Sequence, residues 1–484
     1  MQIHSVLKKS VIATGVAAAL ASSGAQAIST GTDLNLTAKA AAGGMAGAAY
    51  VRPQEASAAV FGNPATLTQF KGFNMNFGAS FLVIEELKNE QSSTVADGPF
   101  GGSYYNESIS DADNYIVPDV GITLEIAPGL VIGTGLEVDA GLGGDYRDDP
   151  VMLLGDMSST ALAAEFSVPI NVELISFNAN LAAGYQVNEK LSIGGALTVG
   201  FGLFQLGTTG STQDLNTLCG ALAACPVFGD FGGTTSSVHD IGFGGSLGAT
   251  YAVQDGVMIG ATLKSPVEYN FRNAMYSQIA VLKGGDGWQD ITMEQPLEAI
   301  VGVALDNVLL PNLLVEIDAI FKKWSEASGY EDAYEDQWLL AIGGQYTMNS
   351  WKFRLGYSYA EKILKNVPNS TLSNLDGIGT LPLGGSLGLA EGIGTDVVAA
   401  FQTALVPVIW QHTVTAGVGY NFTENLRLDA YGAYAFGGES ASRNLPTISS
   451  LAAAALGSTS VVQEFKGSLE SEWMVGVGLN IAMP

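Results

Sequence analysis

The chain has 484 residues, 61 of them glycine, and 47 acidic against 20 basic side chains give a formal net charge of −27. Phosphate backbones are held by Lys and Arg, so this balance excludes a nucleic-acid partner. Hydrophobic residues at 47% with charge at 14% exclude a disordered chain, and no linker or break in composition divides it into separate domains.

At the N-terminus Lys8 and Lys9 precede an apolar run from Val11 to Leu20, followed by small residues and Ala25-Gln26-Ala27. This is the pattern of a secretory signal peptide, so residues 1–27 are expected to be cleaved off and the mature protein to start at Ile28. The apolar run is too short for a spanning helix, which needs about 20 residues. From 28 to 70 the chain is rich in Ala and Gly, with little period-2 character, and carries Ser57-Ala58-Ala59-Val60-Phe61-Gly62-Asn63-Pro64-Ala65. The expectation here is a compact element outside any sheet, with side chains small enough for a narrow lumen.

Residues 71–484 alternate apolar and polar, as strands do when successive side chains point to opposite faces. Strands are expected at 73–87, 114–127, 130–146, 170–187, 190–207, 238–254, 256–272, 290–306, 311–328, 334–349, 350–366, 407–422, 425–440 and 462–481. Short turn signals such as Ala127-Pro128-Gly129 and Gln254-Asp255-Gly256 alternate with long connections at 88–113, 147–169, 208–237, 273–289, 367–406 and 441–461. In 311–328, Leu313, Val315, Ile317, Ala319 and Phe321 oppose Glu316, Asp318 and Lys322. With no helices to cover the apolar parity, lipid must cover it, and charge on that face costs about 2–4 kcal/mol at mid-membrane. The fold expected is all-β: a 14-stranded transmembrane antiparallel barrel in the bacterial outer membrane, with residues 28–70 as a small N-terminal hatch in its lumen. A soluble β-sandwich with one wet face is the alternative, and strands this long and this numerous count against it.

Several motifs bear on chemistry. Cys219 and Cys225 sit close together in a Gly/Ala/Thr-rich stretch, where an exported chain forms a loop-closing disulfide or keeps two free thiols. Without neighbouring histidine they make a poor metal site, and no metal or cofactor is expected. Gly244-Gly245-Ser246-Leu247-Gly248 and Gly384-Gly385-Ser386-Leu387-Gly388 both match G-x-S-x-G, but a nucleophile elbow needs a strand-to-helix turn on an α/β sheet. With His239 and His412 as the only histidines after the leader, an outer-membrane lipase has few candidates for a general base, and no enzyme is expected. Gly141, Gly143 and Gly144 interrupt the clean alternation that runs to Ala140, as glycine does at a bulge or a close backbone approach.

The hatch segment ending in Asn63-Pro64-Ala65, Val117-Pro118-Asp119-Val120-Gly121, Gly133-Thr134-Gly135 through Gly141-Leu142-Gly143-Gly144-Asp145-Tyr146, Lys264-Ser265-Pro266, Trp324-Ser325, Trp351 to Tyr357 and Val406-Pro407 follow one another in an order that resembles the FadL-type outer-membrane transporters. That family moves long-chain fatty acids and other hydrophobic compounds, and includes toluene-uptake proteins. The resemblance implies passive uptake, with capture at extracellular loops and lateral release into the membrane through a kink in the third strand. Carried over, Asn63, Pro64 and Ala65 would pack beside Ala140, Gly141, Gly143, Gly144 and Asp145. Apolar loop residues Met152, Leu153, Leu154, Leu381, Leu383 and Leu387 are candidates for capture, since exposed apolar surface often marks a binding site. Lys264, Lys322, Lys352, Arg354 and Arg427 have lumen-facing parity and could meet a carboxylate or pair with lumen acids, so fatty acid, alkane and aromatic hydrocarbon all stay open as cargo. The expected partners are hydrophobic small molecules, outer-membrane lipid and lipopolysaccharide, and the barrel-assembly machinery, with the barrel a monomer. A general diffusion porin is the alternative function.

Overall fold

The computed structural model describes residues 40–152, 155, 167–168, 170–208, 231–232, 237–277, 288–368, 393–404 and 408–483. Fourteen strands close into one barrel: β1 (Phe73–Glu85), β2 (Asn114–Ala127), β3 (Leu130–Asp145), β4 (Ile170–Gln186), β5 (Leu191–Thr208), β6 (Val238–Gln254), β7 (Val257–Lys264), β8 (Glu298–Asp306), β9 (Leu313–Lys322), β10 (Gln337–Met348), β11 (Trp351–Ala360), β12 (His412–Thr423), β13 (Leu426–Phe436) and β14 (Ser471–Met483). Each strand pairs antiparallel with its sequence neighbours, and β1 closes on β14 from Phe73↔Met483 to Glu85↔Ser471. Closure leaves the barrel no edge strand, which lipid demands because it offers no hydrogen bonds.

The alternation places the faces as the sequence implied. On β9, Ile317 looks outward while Glu316 and Asp318 are fully buried inside. Aromatic side chains ring both ends. Trp351 lies 4.6 Å from Tyr420 and 6.2 Å from Phe353 near the short turns, and Phe321 lies 5.0 Å from Trp338 toward the long loops. Trp338 and Tyr346 on β10 are separated by about 26 Å of strand at about 3.3 Å per residue, the height of a membrane's apolar band.

The long connections are more structured than expected. Lys88–Val95, Gly102–Ile109, Glu439–Asn444 and Val461–Ser468 join Val408–Ile409 in a five-stranded sheet above the barrel. Most of these strands are polar on both parities, so they carry no period-2 hydrophobic signal. Two expected strands, 256–272 and 290–306, are each divided, at Ser265-Pro266 and at Pro296. Proline cannot donate to a ladder, and there the chain leaves the wall. The resulting pair, Val267–Ser277 with Trp288–Gln295, folds back inside, so that Val267, Tyr269 and Phe271 lie against the inward glycines Gly200, Gly202, Gly242 and Gly244 of β5 and β6.

Residues 40–69 form the plug: α1 (Ala40–Gly43), α2 (Ala56–Phe61) and a 3-10 turn at Pro64–Gln69. Its backbone lies directly on the wall because a belt of inward glycines removes the side chains that would hold it off. Gly121 meets Ser57, Gly194 meets Pro64 and Ala65, Gly356 meets Met45 and Ala46, and Gly417 meets Gly44. Much of the chain's glycine is used in this way rather than in turns.

Candidate functional site: a seam in the wall above the plug

The plug's unpaired N–H groups are satisfied by polar side chains of the wall. Glu316 accepts from Val51 N at 2.6 Å and Arg52 N at 3.0 Å, Asn76 from Ser57 N at 2.7 Å, and Thr415 from Ala46 N at 3.0 Å. Glu55, within the plug, accepts from Ala41 and Ala42 N at the start of α1, where a helix leaves its amides unbonded. The cations are engaged too. Arg354 and Arg427 each bond Asp429 at 2.6 Å, Asn480 adds a third bond to it at 2.8 Å, and Arg427 also donates to Gln54 O of the plug. Lys264 and Lys322 both reach Glu298 at 3.0 Å. Asp429→Ala strands two guanidinium groups in the floor of the barrel. Thermal unfolding followed by circular dichroism is expected to show a loss of about 3–5 kcal/mol, the usual result of breaking a buried ion pair on one side.

Asn63-Pro64-Ala65 is a helix-start device. Asn63 Oδ1 caps Ala65 N at 3.1 Å, with Pro64 at the first helical position where a missing N–H costs nothing. Its Nδ2 donates to Tyr50 O at 3.0 Å and to Ala249 O on β6 at 3.4 Å. The motif wedges against Gly184, Gly194 and Gly248 of β4, β5 and β6. This corrects the expected position beside Ala140–Asp145: Asn63 bonds within the plug and to β6, and does not serve the unpaired groups of β3. The part of the plug nearest β2 and β3 is α2, with Ser57 at Gly121 and the Phe61 ring at Gly135.

Above α2 the wall comes apart between two strands. The β2–β3 ladder runs from Ala127↔Leu130 up to Asp119↔Glu137 and stops. Beyond that rung Asn114–Pro118 stays paired to β1, and Ala140–Asp145 stays paired to β4 through Gly141, Gly143 and Gly144, so the glycines do not end the strand. Among the described residues no ladder joins the two segments. The rungs close again above, where Asp111 N donates to Asp145 O at 2.8 Å and Asp145 N donates to Ser110 Oγ at 2.9 Å. Two features set the lower limit. An extra residue, Asp139, bulges β3 between Val138↔Phe177 and Ala140↔Ser176, which bends the strand away. Pro118, with no N–H, stands on β2 immediately past the last rung.

The side chains around this opening form a continuous apolar path. On β4 the outward-facing Leu181 and Tyr185 are 63% and 50% exposed, yet Phe177 and Ile175, of the same parity, are only 9% and 4% exposed. They belong to one cluster with Val138 and with the lumen-facing Leu82, Tyr115, Val117, Tyr431 and Met474. Side chains of opposite parity can share a cluster only where the sheet between them is interrupted. Sequence reasoning placed the irregularity on the third strand but missed Leu82, Tyr115, Val117, Ile175 and Phe177, which read as ordinary strand positions.

The remaining candidates divide simply. Met152 is half-buried in a short strand, Val151–Met152, paired to Ser167–Val168, with its N–H donating to Gln91 Oε1 at 3.3 Å. Leu153, Leu154, Leu381, Leu383 and Leu387, the Cys219–Cys225 pair, the second G-x-S-x-G match and residues 1–39 lie outside the described residues. The first match falls within β6, with Ser246 facing the lumen at 7% exposure rather than on a strand-to-helix turn.

Solved structures of similar fold include the Pseudomonas putida toluene transporter TodX (18% identity, 88% of this chain and 94% of that one, TM-score 0.51), the CymD monoaromatic hydrocarbon channel (17%, 91% and 96%, TM-score 0.52) and a Pseudomonas aeruginosa FadL homologue (13%, 95% and 100%, TM-score 0.59). A search of curated protein sequences finds no match. A family model described as outer membrane protein transport protein (OMPP1/FadL/TodX) matches residues 16–372, well over half of the chain. With the closed barrel and its plug, that match makes the chain a member of the OMPP1/FadL/TodX family of outer-membrane transport proteins.

Proposed function

We propose that this protein carries neutral hydrophobic compounds across the outer membrane by passive lateral release. Cargo is captured at the long-loop end, where Met152, Leu153, Leu154, Leu381, Leu383 and Leu387 supply apolar surface, and enters the lumen above the plug. The plug blocks the way to the periplasm, and cargo leaves sideways between β2 and β3. The observation that carries this reading is the apolar cluster through the unpaired seam, which joins Tyr115 and Val117 inside to Phe177 and Ile175 on the outward parity. A greasy solute following it never crosses a polar layer. Neutral cargo is favoured over a fatty-acid anion because four lumen cations already face acids, Arg354 and Arg427 at Asp429 and Lys264 and Lys322 at Glu298. The toluene and monoaromatic-hydrocarbon neighbours agree with that chemistry. In the same reading residues 1–27 are the export signal, 28–70 the hatch, and 71–484 a monomeric barrel in lipid and lipopolysaccharide, delivered by the assembly machinery.

Uptake of labelled toluene, dodecane and dodecanoate by cells lacking their own hydrophobic-uptake barrels tests the proposal. Toluene and dodecane should enter well above the empty-vector rate, with dodecanoate lagging. Equal entry of small hydrophilic sugars would point instead to a diffusion porin.

A further inference from the structure

Where the ladder between β2 and β3 is missing, side chains fill the gap. Three of them, Val138 on β3 with Ile175 and Phe177 on β4, have outward parity, paired as Val138↔Phe177 and Gly141↔Ile175. All three are buried, although Leu181, lower on the same face of β4, is open to lipid. Across the seam β2 behaves differently. Its outward Ile116 is 60% exposed, and the residues it gives to the cluster are the inward Tyr115 and Val117, beside Leu82 of β1. The outer face of β3 and β4 is therefore lapped behind the inner face of β1 and β2, and the slot between the two faces is closed by packing alone. Phe201 and Leu203, the cross-strand neighbours of Phe177 and Ile175 on β5, pack against the same cluster. Above Val138 the next outward positions on β3 are Gly141 and Gly143, so β3 adds no further side chain to that face there.

We propose that Phe177 sets how broad a solute this exit admits: its ring closes the slot at rest and swings outward to let cargo pass. This rests on the lateral-release reading given above. No ladder bond crosses the slot, so opening it breaks only dispersion contacts, which are weak one by one. In a soluble protein the freed ring would meet water and be driven back. Here it swings from β4 into hydrocarbon, which is as apolar as the cluster it leaves. The glycines at 141 and 143 leave the ring room to turn. Among the three outward side chains the choice of mover follows from chemistry. Val138 and Ile175 branch at Cβ and are stiff at χ1, whereas Phe177 is unbranched there and is the largest of the three. Val138 and Ile175 thus form the fixed rim, and the volume at 177 decides the girth of molecule that clears it.

The test compares transporter-dependent initial uptake of labelled toluene and of the broader 1,3,5-triisopropylbenzene in cells carrying wild type, Phe177→Ala, Phe177→Leu or Phe177→Trp. A heat-modifiable band on gels checks that each barrel is folded, and exclusion of sucrose checks that the plug is seated. Wild type should strongly prefer toluene. Phe177→Ala should raise entry of the broader compound about tenfold and leave toluene nearly unchanged, the scale on which apolar contacts discriminate by size. Phe177→Leu should move the ratio the same way by less, so the series survives if the alanine variant does not fold. Phe177→Trp should slow both compounds. Leu181→Ala, at the open lipid-facing position lower on β4, should match wild type. A ratio that stays constant across the Phe177 series, or a wild type that admits both compounds equally, overturns the girth role and leaves lateral release standing. A wild type that admits no toluene overturns both.

Discussion

Gly356→Val is expected to open the channel. A Cβ at this position would overlap the backbone of Met45 and Ala46, and a rigid main chain cannot yield as a flexible side chain would. Overpacking of this kind costs about 1–3 kcal/mol, and the plug, a short segment held by hydrogen bonds at its edges, is the part able to move. In planar bilayers the wild type should be nearly silent, whereas Gly356→Val should conduct ions through the vacated lumen. Gly121→Val on the opposite wall, against Ser57, should do the same. Gly344→Val is the control, because its Cβ would meet only Leu314 O at 3.7 Å. A silent Gly356→Val barrel that folds normally would show that the plug does not close the lumen.

Deleting Asp139 together with Pro118→Thr is expected to shut the lateral route. Removing the bulged residue puts Val138 and Ala140 in one regular register on β4, facing Phe177 and Ser176 in turn. The threonine restores an N–H just past the Asp119↔Glu137 rung, so β2 and β3 can zip upward, the one-residue deletion bringing Ala112 in place of Asp111 opposite Asp145. At about 1 kcal/mol per hydrogen bond, even a few new rungs add about 3 kcal/mol to the barrier against sideways passage. Uptake of toluene should then fall on the order of a hundredfold with the barrel intact. Single-channel currents in a Gly356→Val background should persist, since that pathway runs down the axis. Undiminished toluene uptake in the zipped variant would mean that cargo leaves by another way.

The sequence determined what depends on neighbouring residues alone. Alternation at a period of 2 is a local property, so the strand count, the lipid and lumen faces of β9, and most strand limits could be read directly. Asn63-Pro64-Ala65 was legible as part of a compact element outside the sheet, while its capped 3-10 turn came only with the structure. Polar strands such as Lys88–Val95 escaped because the face they bury is itself mostly polar (Asn89, Gln91 and Ser93) and leaves no apolar stripe, and the prolines at 266 and 296 did not by themselves show that the chain turns inward.

The tertiary structure alone decided which strands fail to meet. Val138 and Phe177 look like lipid-facing residues and Tyr115 like a lumen-facing one until the β2–β3 ladder is seen to stop at Asp119↔Glu137 and the three fall into one cluster. Glu298 draws on Lys264 and Lys322 of its two neighbouring strands, Glu316 on the plug, and Asp429 on Arg354 and Arg427, and which lumen carboxylate meets which partner follows from how the strands pair. Pairing between strands and satisfaction of buried charge are set by contacts between residues far apart along the chain, and a hydrogen bond that is never made leaves no mark in the order of amino acids.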